Sequence, residues 1–377
     1  MSICDIISRE YLRKKIYLIW ERRKKKTLLM ETKVLKINSK EDSENINIAA
    51  SCLSDGKLVV IPTETVYGLG ANGLNEEAVK NIFVAKGRPQ DNPLILHVAE
   101  KSWVSNLVTE IPDVALKVID KFWPGPITII FNKSDLVPSE TSAGLSTVAI
   151  RMPSHAVARE IIRASGVPVA APSANISGRP SPTKVEHVIE DLMGKVDVIV
   201  DSGHTDVGIE STVLDVTVEP PVILRPGGVT FEELQALIPD LEIDTTIIDP
   251  NDKTVPKSPG QKYRHYSPKA DAILFGGNLN HVVKEINKRI ADLKGEKSAV
   301  LATEETYRDY VGADVVINLG SRENLEEIAK NIFDALRECD EKEVDIIYVE
   351  GYDLRGIGQG IMNRLLKACG GKVVLGL

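Results

Sequence analysis

The stretch LVVIPTETVYGLG, residues 58–70, carries the clearest information about the fold. Its first four residues are apolar and predict a buried strand, which Pro62 ends before a threonine-rich turn begins. Thr63, Thr65 and Tyr67 lie at even spacing, and side chains at that spacing share one face of an extended segment. We therefore expect the three to line a pocket together, although threonine and tyrosine are also common in ordinary half-buried strands.

Further apolar strands follow along the first 240 residues, and only some of them are separated by helices. Strands are predicted at residues 94–98, 127–131, 148–151, 167–170, 196–200, 211–215 and 222–225, and helices at 76–85, 114–122, 155–165 and 183–193. Thr183 is the expected N-cap of the last helix. Because strands recur both with and without intervening helices, the pattern favours an α/β fold with an open, twisted mixed sheet over a strictly doubly wound one.

The pattern changes over residues 238–266, which are polar, contain prolines and predict a linker. Beyond them strands and helices alternate, which predicts a smaller, Rossmann-like C-terminal domain with a parallel sheet. This domain has no GxGxxG turn after its first strand, so a dinucleotide site there is unsupported. The predicted organisation is a basic extension (1–29), a catalytic domain (30–238), a linker or lid (239–269) and the C-terminal domain (270–377).

The charge and the cysteines narrow the classes of function. The chain has 46 Lys and Arg against 54 Asp and Glu, a formal net charge of −8, whereas a general nucleic-acid binder presents a basic domain. The four cysteines, Cys4, Cys52, Cys339 and Cys369, have no CxxC or Cys/His spacing. This predicts reduced thiols in the cytoplasm rather than disulfides or a zinc site. No apolar run is long enough to span a bilayer.

Residues 1–29 are strongly basic and allow three interpretations. They could be a targeting peptide, a basic helix that binds a membrane or RNA, or an extension created by a start codon assigned too early, with Met30 as the true start. The densest charge comes last and no small-residue cleavage site follows, which is unlike a signal peptide.

Two loops carry groups that suit an anionic nucleotide. KGRP, residues 86–89, places Lys86 and Arg88 on a rigid segment, although alone it would be a solvated helix end. SANISG, residues 173–178, carries hydroxyl and amide groups after a strand, although alone it is a common turn. Together they predict charge from one loop and neutral hydrogen bonds from the other.

Two arginines end buried strands, and a buried arginine needs a carboxylate or phosphate partner. They are Arg151 and Arg225, whereas His97, inside an apolar strand, is by itself more often a core histidine. The sequence has no Ser-His-Asp order, paired catalytic carboxylates, metal-ligand cluster or Walker loop. The residues alone therefore predict a nucleotide-using enzyme that works by positioning and electrostatic stabilisation, with its second substrate unnamed.

Several segments, in order, resemble those of the YrdC-type threonylcarbamoyladenylate synthases, in the long form with an extra C-terminal domain. They are PTETVYGL (62–69), KGRP (86–89), WPGPIT (123–128), RMP (151–153), SANISG (173–178), GIESTV (208–213) and PGQKYRHYSP (259–268). The resemblance covers nearly everything from about residue 34 onward. It implies a YrdC-like catalytic domain that joins L-threonine, bicarbonate and ATP into threonylcarbamoyl-AMP and releases pyrophosphate. The product would serve t6A modification of tRNA by a separate transferase complex.

The resemblance also implies roles for individual residues. The L-threonine pocket would comprise Thr65, His97, Arg151, Ser211 and the backbone near Ala171, with Arg151 pairing the carboxylate. The ATP contacts would be Arg88, Asn92, Thr147, Ser173, Ser181 and Arg225. Lys86 and Arg88 would stabilise charge on the departing pyrophosphate, with Mg²⁺ carried in by ATP and no tightly bound cofactor. Tyr263, His265 and Tyr266 would act as a lid that excludes water.

Two alternatives remain at this stage. The first is an RNA-binding protein, because a concave basic surface on this fold could hold an RNA helix, but the acidic charge speaks against it. The second is a maturation enzyme that uses the same adenylate chemistry for another carbamoyl transfer, but its expected cysteine clusters are missing here. The sequence does not predict the oligomeric state, the role of the C-terminal domain or a direct contact with tRNA.

Overall fold

The computed structural model describes residues 30–244 and 265–376. The predicted basic extension over 1–29 and most of the central linker therefore lie outside the described residues. Within the described ranges, no helix is long and apolar enough to cross a membrane.

The larger sheet has eleven strands and both parallel and antiparallel pairs. Its strands are β1 (Lys33–Lys36), β2 (Val59–Ile61), β3 (Gly68–Asn72), β4 (Ile95–His97), β5 (Ile127–Asn132), β6 (Thr147–Arg151), β7 (Val169–Ala170), β8 (Val198–Asp201), β9 (Thr212–Asp215), β10 (Val222–Arg225) and β11 (Glu242–Ile243). Their order is β1-β8-β2-β3-β7-β4-β6-β5-β9-β10-β11. β4 pairs with β6 in parallel and with β7 antiparallel, so the predicted mixed sheet is confirmed.

Helices flank this sheet and bury both of its faces. They are α1 (Ser43–Ser54), α2 (Glu76–Lys86), α3 (Val104–Leu107), α4 (Asp113–Phe122), α5 (Ser139–Ser142), α6 (Ala156–Ser165), α7 (Val185–Leu192) and α8 (Phe231–Gln235). On β2, Val60 belongs to one apolar cluster, whereas Val59 and Ile61 belong to another. A strand buried on both faces reads as a continuous apolar run, which explains why residues 58–61 are apolar without alternation.

The second sheet has five strands, and every pair in it is parallel. It contains β12 (Asp271–Phe275), β13 (Ser298–Ala302), β14 (Val315–Asn318), β15 (Ile346–Glu350) and β16 (Val373–Val374), with helices α9 (Leu279–Asp292), α10 (Leu325–Glu341) and α11 (Gly358–Ala368). The strand order is β14-β13-β15-β12-β16. The prediction of a smaller parallel, Rossmann-like sheet is therefore confirmed.

Two local predictions are wrong. Thr183 does not cap α7, because the N-cap position is occupied by Lys184, whose side chain makes no capping hydrogen bond. The backbone N–H of Thr183 donates instead to Nδ1 of His187 at 3.3 Å. The first sheet also continues beyond residue 238, since buried Leu241 leads into β11, which pairs with β10. The linker therefore begins later than predicted.

Candidate active site

One cavity lies where several strands of the larger sheet end. Among the predicted site residues, those that line it are Thr65, Lys86, Arg88, His97, Arg151, Ala171, Ser173, Ser211, Arg225, His265 and Tyr266. Asn92, Thr147 and Ser181 are described but do not line it, and Tyr263 lies outside the described residues. Most of the predicted residues are thus close together, although their roles remain predictions.

The turn after β2 presents two threonine hydroxyls to the cavity. Thr63 Oγ1 donates to the carbonyl of Val66 at 2.5 Å, so its contact of 2.9 Å with Thr65 Oγ1 uses the Thr65 hydrogen. Tyr67 lies elsewhere, because its hydroxyl donates to the carbonyl of Gly203 at 2.6 Å. The prediction that all three side chains line one pocket is wrong for Tyr67, because this segment is a turn rather than a continuing strand.

Arg151, at the end of β6, is held in a buried ion pair. Its Nη2 lies 2.8 Å from Glu64 Oε1, with both side chains 5% exposed. Its Nη1 donates to Thr65 Oγ1 at 2.9 Å. Burial acts to raise the pKa of Glu64, but the charge and hydrogen bond of Arg151 outweigh it and hold that pKa below its usual value. The sequence required a partner for Arg151 but did not identify Glu64.

His97 lies beside Arg151 across the β4–β6 pair and is buried. Burial, together with the positive charge of Arg151, lowers the pKa of His97 to about 3. The imidazole is therefore neutral near pH 7. Its Nδ1 lies 3.2 Å from the carbonyl of Ile95, which can only accept, so Nδ1 carries the hydrogen.

Lys86 connects the two loops that the sequence singled out. It ends α2 before Gly87, whose φ of 60° is left-handed and therefore suits glycine. Its buried Nζ donates to the carbonyls of Ser173 and Asn175, at 2.5 Å each. Burial, with the nearby charge of Arg88, lowers the pKa of Lys86 well below its ordinary value. The contacts of its ammonium group make Lys86 an anchor for the 173–178 loop.

The loop itself is held by its own polar groups. Ser173 Oγ donates to Asn175 Oδ1 at 2.5 Å, and Asn175 Nδ2 donates to the carbonyls of Ile176 and Arg179 at 2.8 and 2.9 Å. The amide of Asn175 thus orders the loop, and the Ser173 oxygen faces the cavity with lone pairs to accept a hydrogen bond.

Arg225 and Ser211 form the opposite wall. Arg225 Nε donates to the Ser211 carbonyl at 3.0 Å and Nη2 to the Ser211 hydroxyl at 3.1 Å. Burial lowers the pKa of Arg225 to about 10, so it stays charged at neutral pH. Gly227 makes this packing possible, because a Cβ there would lie 2.3 Å from the carbonyl oxygen of Glu210.

Glu210 is a site residue to which the sequence assigned no role. It is buried, and its Oε1 accepts from Ser181 Oγ at 2.5 Å while its Oε2 lies 2.8 Å from Arg364 Nε. Burial acts to raise the pKa of Glu210, but Arg364 and Arg225 outweigh it and lower that pKa. Ser181 therefore meets the site through Glu210. The sequence did offer one sign that Glu210 belongs to the site, because Glu210 directly precedes the predicted ligand-binding residue Ser211 at the start of a strand.

The described end of the linker lines part of the cavity through His265 and Tyr266. Tyr266 is buried at a φ of 61°, and its ring lies 5.1 Å from that of Phe333 on α10. Burial, with the nearby charge of Glu210, raises the pKa of Tyr266 to about 12. The backbone N–H of Ser267 donates to the carbonyl of Gly178 at 2.8 Å. His265 and Tyr266 are thus fixed next to the 173–178 loop.

Asn92 and Thr147, two further residues predicted to contact ATP, do not line the cavity. Asn92 is buried, and its side-chain amide has no hydrogen-bond partner among the described residues. Its backbone carbonyl accepts from Arg88 Nη2 at 3.4 Å. Thr147 is half-buried at the start of β6, the end of that strand away from Arg151. In the described parts of the chain, no group of three or more His, Cys, Asp or Glu side chains is placed to hold a metal ion.

The cavity suits a small anionic ligand, since buried cations and hydroxyls converge at strand ends in a recess. The family profile described as "Telomere recombination" matches residues 51–227, and "Threonylcarbamoyl-AMP synthase, C-terminal domain" matches 229–370. The chain belongs to the threonylcarbamoyl-AMP synthase (Sua5) family, which confirms the resemblance seen in the sequence.

Individual relatives support this assignment over nearly the whole chain. The threonylcarbamoyl-AMP synthase of Pyrococcus abyssi is 46% identical over 345 residues, which cover 91% of this chain and 99% of the relative. That of Bacillus subtilis is 47% identical over 330 residues, or 86% and 93% of the two chains. The crystal structure of P. abyssi Sua5 complexed with L-threonine aligns with a TM-score of 0.86, covering 91% of this chain and 98% of that one.

Proposed function

We propose that this protein makes threonylcarbamoyl-AMP from L-threonine, bicarbonate and ATP and releases pyrophosphate. The observation that carries the proposal is that Arg151, Thr65 and His97 line the same cavity as Lys86 and Arg88. The first three suit an amino acid, and the last two suit phosphates. The relatives named above carry the corresponding activity in their names, and the P. abyssi relative was crystallised with L-threonine.

On the threonine side, Arg151 receives the substrate carboxylate while Glu64 keeps its guanidinium in place. Thr65 and Ser211 offer hydroxyls, the backbone near Ala171 completes the pocket, and His97 contributes a neutral imidazole. A neutral histidine suits a site already crowded with positive charge, because a second cation next to Arg151 would be strongly disfavoured.

On the nucleotide side, Arg88, Arg225 and Ser173 contact ATP inside the cavity. Asn92, Thr147 and Ser181 do not line the cavity, and we assign them to parts of the nucleotide that extend beyond it. The amide of Asn92 supports this role, because it is buried without a hydrogen-bond partner among the described residues, and such a group gains most from a ligand partner. Lys86 fixes the loop that carries Ser173 and adds positive charge to this wall.

The reaction needs no protein nucleophile. The amine nitrogen of L-threonine attacks the carbon of bicarbonate, a C–O bond of bicarbonate breaks, and the departing hydroxide leaves as water with a proton from the amine. An oxygen of the resulting carbamate attacks the α-phosphorus of ATP. That O–P bond forms as the bond from the α-phosphorus to the pyrophosphate oxygen breaks, and pyrophosphate leaves with the electron pair. Arg88 and Lys86 stabilise the charge that develops there, with Mg²⁺ brought in by ATP.

The linker and the cellular setting complete the proposal. Tyr263, His265 and Tyr266 act as a lid that keeps water from the mixed anhydride. Residues 30–238, together with β11 beyond them, supply the catalytic domain. A separate transferase complex passes the threonylcarbamoyl group to tRNA in the cytoplasm, and the unpaired thiols of Cys52, Cys339 and Cys369 suit a reducing compartment.

Pyrophosphate release by the purified chain tests this function. Release from ATP that requires both L-threonine and bicarbonate is the expected result. ATP turnover that ignores threonine would mean a nucleotide enzyme with a different substrate. No turnover, together with salt-sensitive binding of tRNA, would favour an RNA-binding protein instead.

A further inference from the structure

Helix α11 of the C-terminal domain buries an arginine against the wall of the active site. Arg364 is fully buried, and its partners lie far away in the sequence: Glu210 is 154 residues earlier. A buried guanidinium destabilises the fold unless its donors are paired. The folded protein therefore needs the contacts that Arg364 makes.

Arg364 contacts the chain directly next to two predicted ligand-binding residues, Ser211 and Arg225. Nε lies 2.8 Å from Glu210 Oε2, and Nη2 donates to the Glu210 carbonyl at 3.2 Å, directly before Ser211. Nη1 donates to the carbonyl of Pro226 at 2.6 Å, directly after Arg225. One planar group therefore ties together the two segments that form this wall.

Glu210 transmits the position of Arg364 to a third residue. Its other carboxylate oxygen accepts from Ser181 Oγ at 2.5 Å. Because both oxygens are used, a displacement of the Arg364 guanidinium would shift the carboxylate and the serine together. Ser181 and Arg225 both belong to the proposed ATP side of the cavity.

The backbones around Arg364 are packed too closely to absorb such a shift. A Cβ on Gly360, one turn before Arg364, would lie 2.9 Å from Ile209 Cδ1 and 3.4 Å from Gly227 Cα. The helix thus rests directly on the loop that follows Arg225. The guanidinium carbon of Arg364 also lies 5.9 Å from the ring centre of Tyr266, in the proposed lid.

We propose that Arg364 is a positioning residue of the ATP site and acts through Glu210 on Ser181 and Arg225. The C-terminal domain then has a defined task, which is to complete one wall of a site whose ligand contacts belong to the other domain. This inference rests on the function proposed above.

The test compares full-length Arg364→Met with the wild-type chain. Steady-state pyrophosphate release is measured against ATP and against L-threonine, and the Kd of a non-hydrolysable ATP analogue is measured by calorimetry. We expect kcat/KM for ATP to fall at least about tenfold, with a matching rise in the analogue's Kd, because ligand contacts respond steeply to small displacements. The KM for L-threonine should rise by a smaller factor than that for ATP, because only Ser211 of the threonine pocket lies next to a carbonyl held by Arg364. Arg364→Lys, which keeps the charge but not the planar fork, should be intermediate.

Arg322→Met is the matched control. Arg322 also pairs with a buried carboxylate of the C-terminal domain, that of Glu350, at 2.8 Å, but neither residue lines the cavity. Both variants should lose stability, whereas only Arg364→Met should change ATP binding. Equal effects of the two variants on ATP, or no effect of Arg364→Met, would overturn the inference.

A double variant keeps the test decisive if Arg364→Met does not fold. Glu210→Gln with Arg364→Met removes both buried charges, so we expect it to fold more stably than the single variant while its affinity for the ATP analogue remains low. Wild-type affinity in the folded double variant would overturn the inference. If wild-type protein bound the analogue but showed no threonine-dependent release, the proposed function would fail, and analogue binding would still decide the role of Arg364.

Discussion

Replacing Arg151 by methionine should abolish L-threonine binding and also weaken the fold, and the two effects can be separated. The guanidinium lies 2.8 Å from Glu64 and donates to Thr65 at 2.9 Å, in a pair that is 5% exposed on each side. Methionine replaces the apolar stem but not the charge. The variant therefore loses the proposed carboxylate contact and leaves Glu64 buried without its cation.

The magnitudes follow from this burial. Truncating one partner of a buried, hydrogen-bonded charge pair costs about 2–5 kcal/mol of binding free energy. The Kd for L-threonine should therefore rise between about 30-fold and several thousand-fold. Leaving Glu64 uncompensated should lower the free energy of unfolding by about 3–5 kcal/mol, which is a large part of the roughly 5–15 kcal/mol typical of a domain.

The double variant Glu64→Gln with Arg151→Met separates binding from folding. It removes both charges, so its unfolding free energy should return toward the wild-type value, whereas its affinity for L-threonine should stay as low as in the single variant. The assay combines urea unfolding with calorimetric titration of L-threonine and, separately, of a non-hydrolysable ATP analogue. ATP-analogue affinity should stay within about threefold of wild type, because Arg151 contacts only the threonine side in our proposal.

Two results would refute this reasoning. Threonine binding in the folded double variant within threefold of wild type would remove Arg151 as the carboxylate receptor. An equal loss of threonine and ATP-analogue affinity would mean that Arg151 organises the whole cavity rather than one ligand.

Three further predictions concern other parts of the same cavity. Lys86→Met should lower kcat/KM by about 100-fold, because the 173–178 loop loses the ammonium that holds two of its carbonyls. In the unfolded chain His97 takes up a proton near pH 6.5, whereas in the folded chain its pKa is about 3. Protonation of the unfolded state therefore lowers the free energy of unfolding as the pH falls from about 6.5 toward 3, and above about pH 6.5 this loss is absent. At pH 5.5 relative to pH 7.5, wild type should lose about 1.4 kcal/mol more than His97→Gln. Gly227→Ala should destabilise by about 3 kcal/mol and impair turnover, since its Cβ meets backbone atoms at 2.3 to 2.5 Å.

Each of these three predictions has a control variant or a result that would contradict it. Steady-state kinetics that are unchanged in Lys86→Met would show that the loop is ordered without it. Parallel stability curves for wild type and His97→Gln in urea unfolding would mean that His97 titrates normally. Gly203→Ala is the control for Gly227→Ala. Gly203 has a left-handed φ of 83°, but a Cβ built on it would have no other atom within 4 Å. It should cost only about 1–2 kcal/mol and leave turnover unaffected, and similar losses in both variants would contradict the packing argument.

The sequence predicted the fold class because its signals are local. The apolar run at β2 and the regular strand–helix alternation after residue 270 follow from periodicity alone. Strand β3, Gly68–Asn72, was not predicted, because its two glycines disfavour a strand. It exists because it pairs antiparallel with both β2 and β7, and such pairing is not encoded in the segment itself.

The sequence predicted most of the residues that line the cavity, but it also named Asn92, Thr147 and Ser181, which do not line it. It did not predict the contacts between the lining residues. Resemblance brought together residues from segments far apart, but not the ion pair of Arg151 with Glu64 or the carbonyls held by Lys86. Arg364 gave no local signal, because it lies on an amphipathic helix in another domain and meets Glu210 only after both domains fold. These contacts depend on tertiary structure, which spacing along one chain cannot specify.

The mass of the product formed from ATP, L-threonine and ¹³C-labelled bicarbonate is the sharpest test of the proposed reaction. We expect an adenylate that contains one labelled carbon between threonine and AMP, formed together with pyrophosphate. An unlabelled threonyl adenylate would show that the carboxylate of the amino acid, not a carbamate, attacks the α-phosphorus, and it would contradict the assignment of that carboxylate to Arg151.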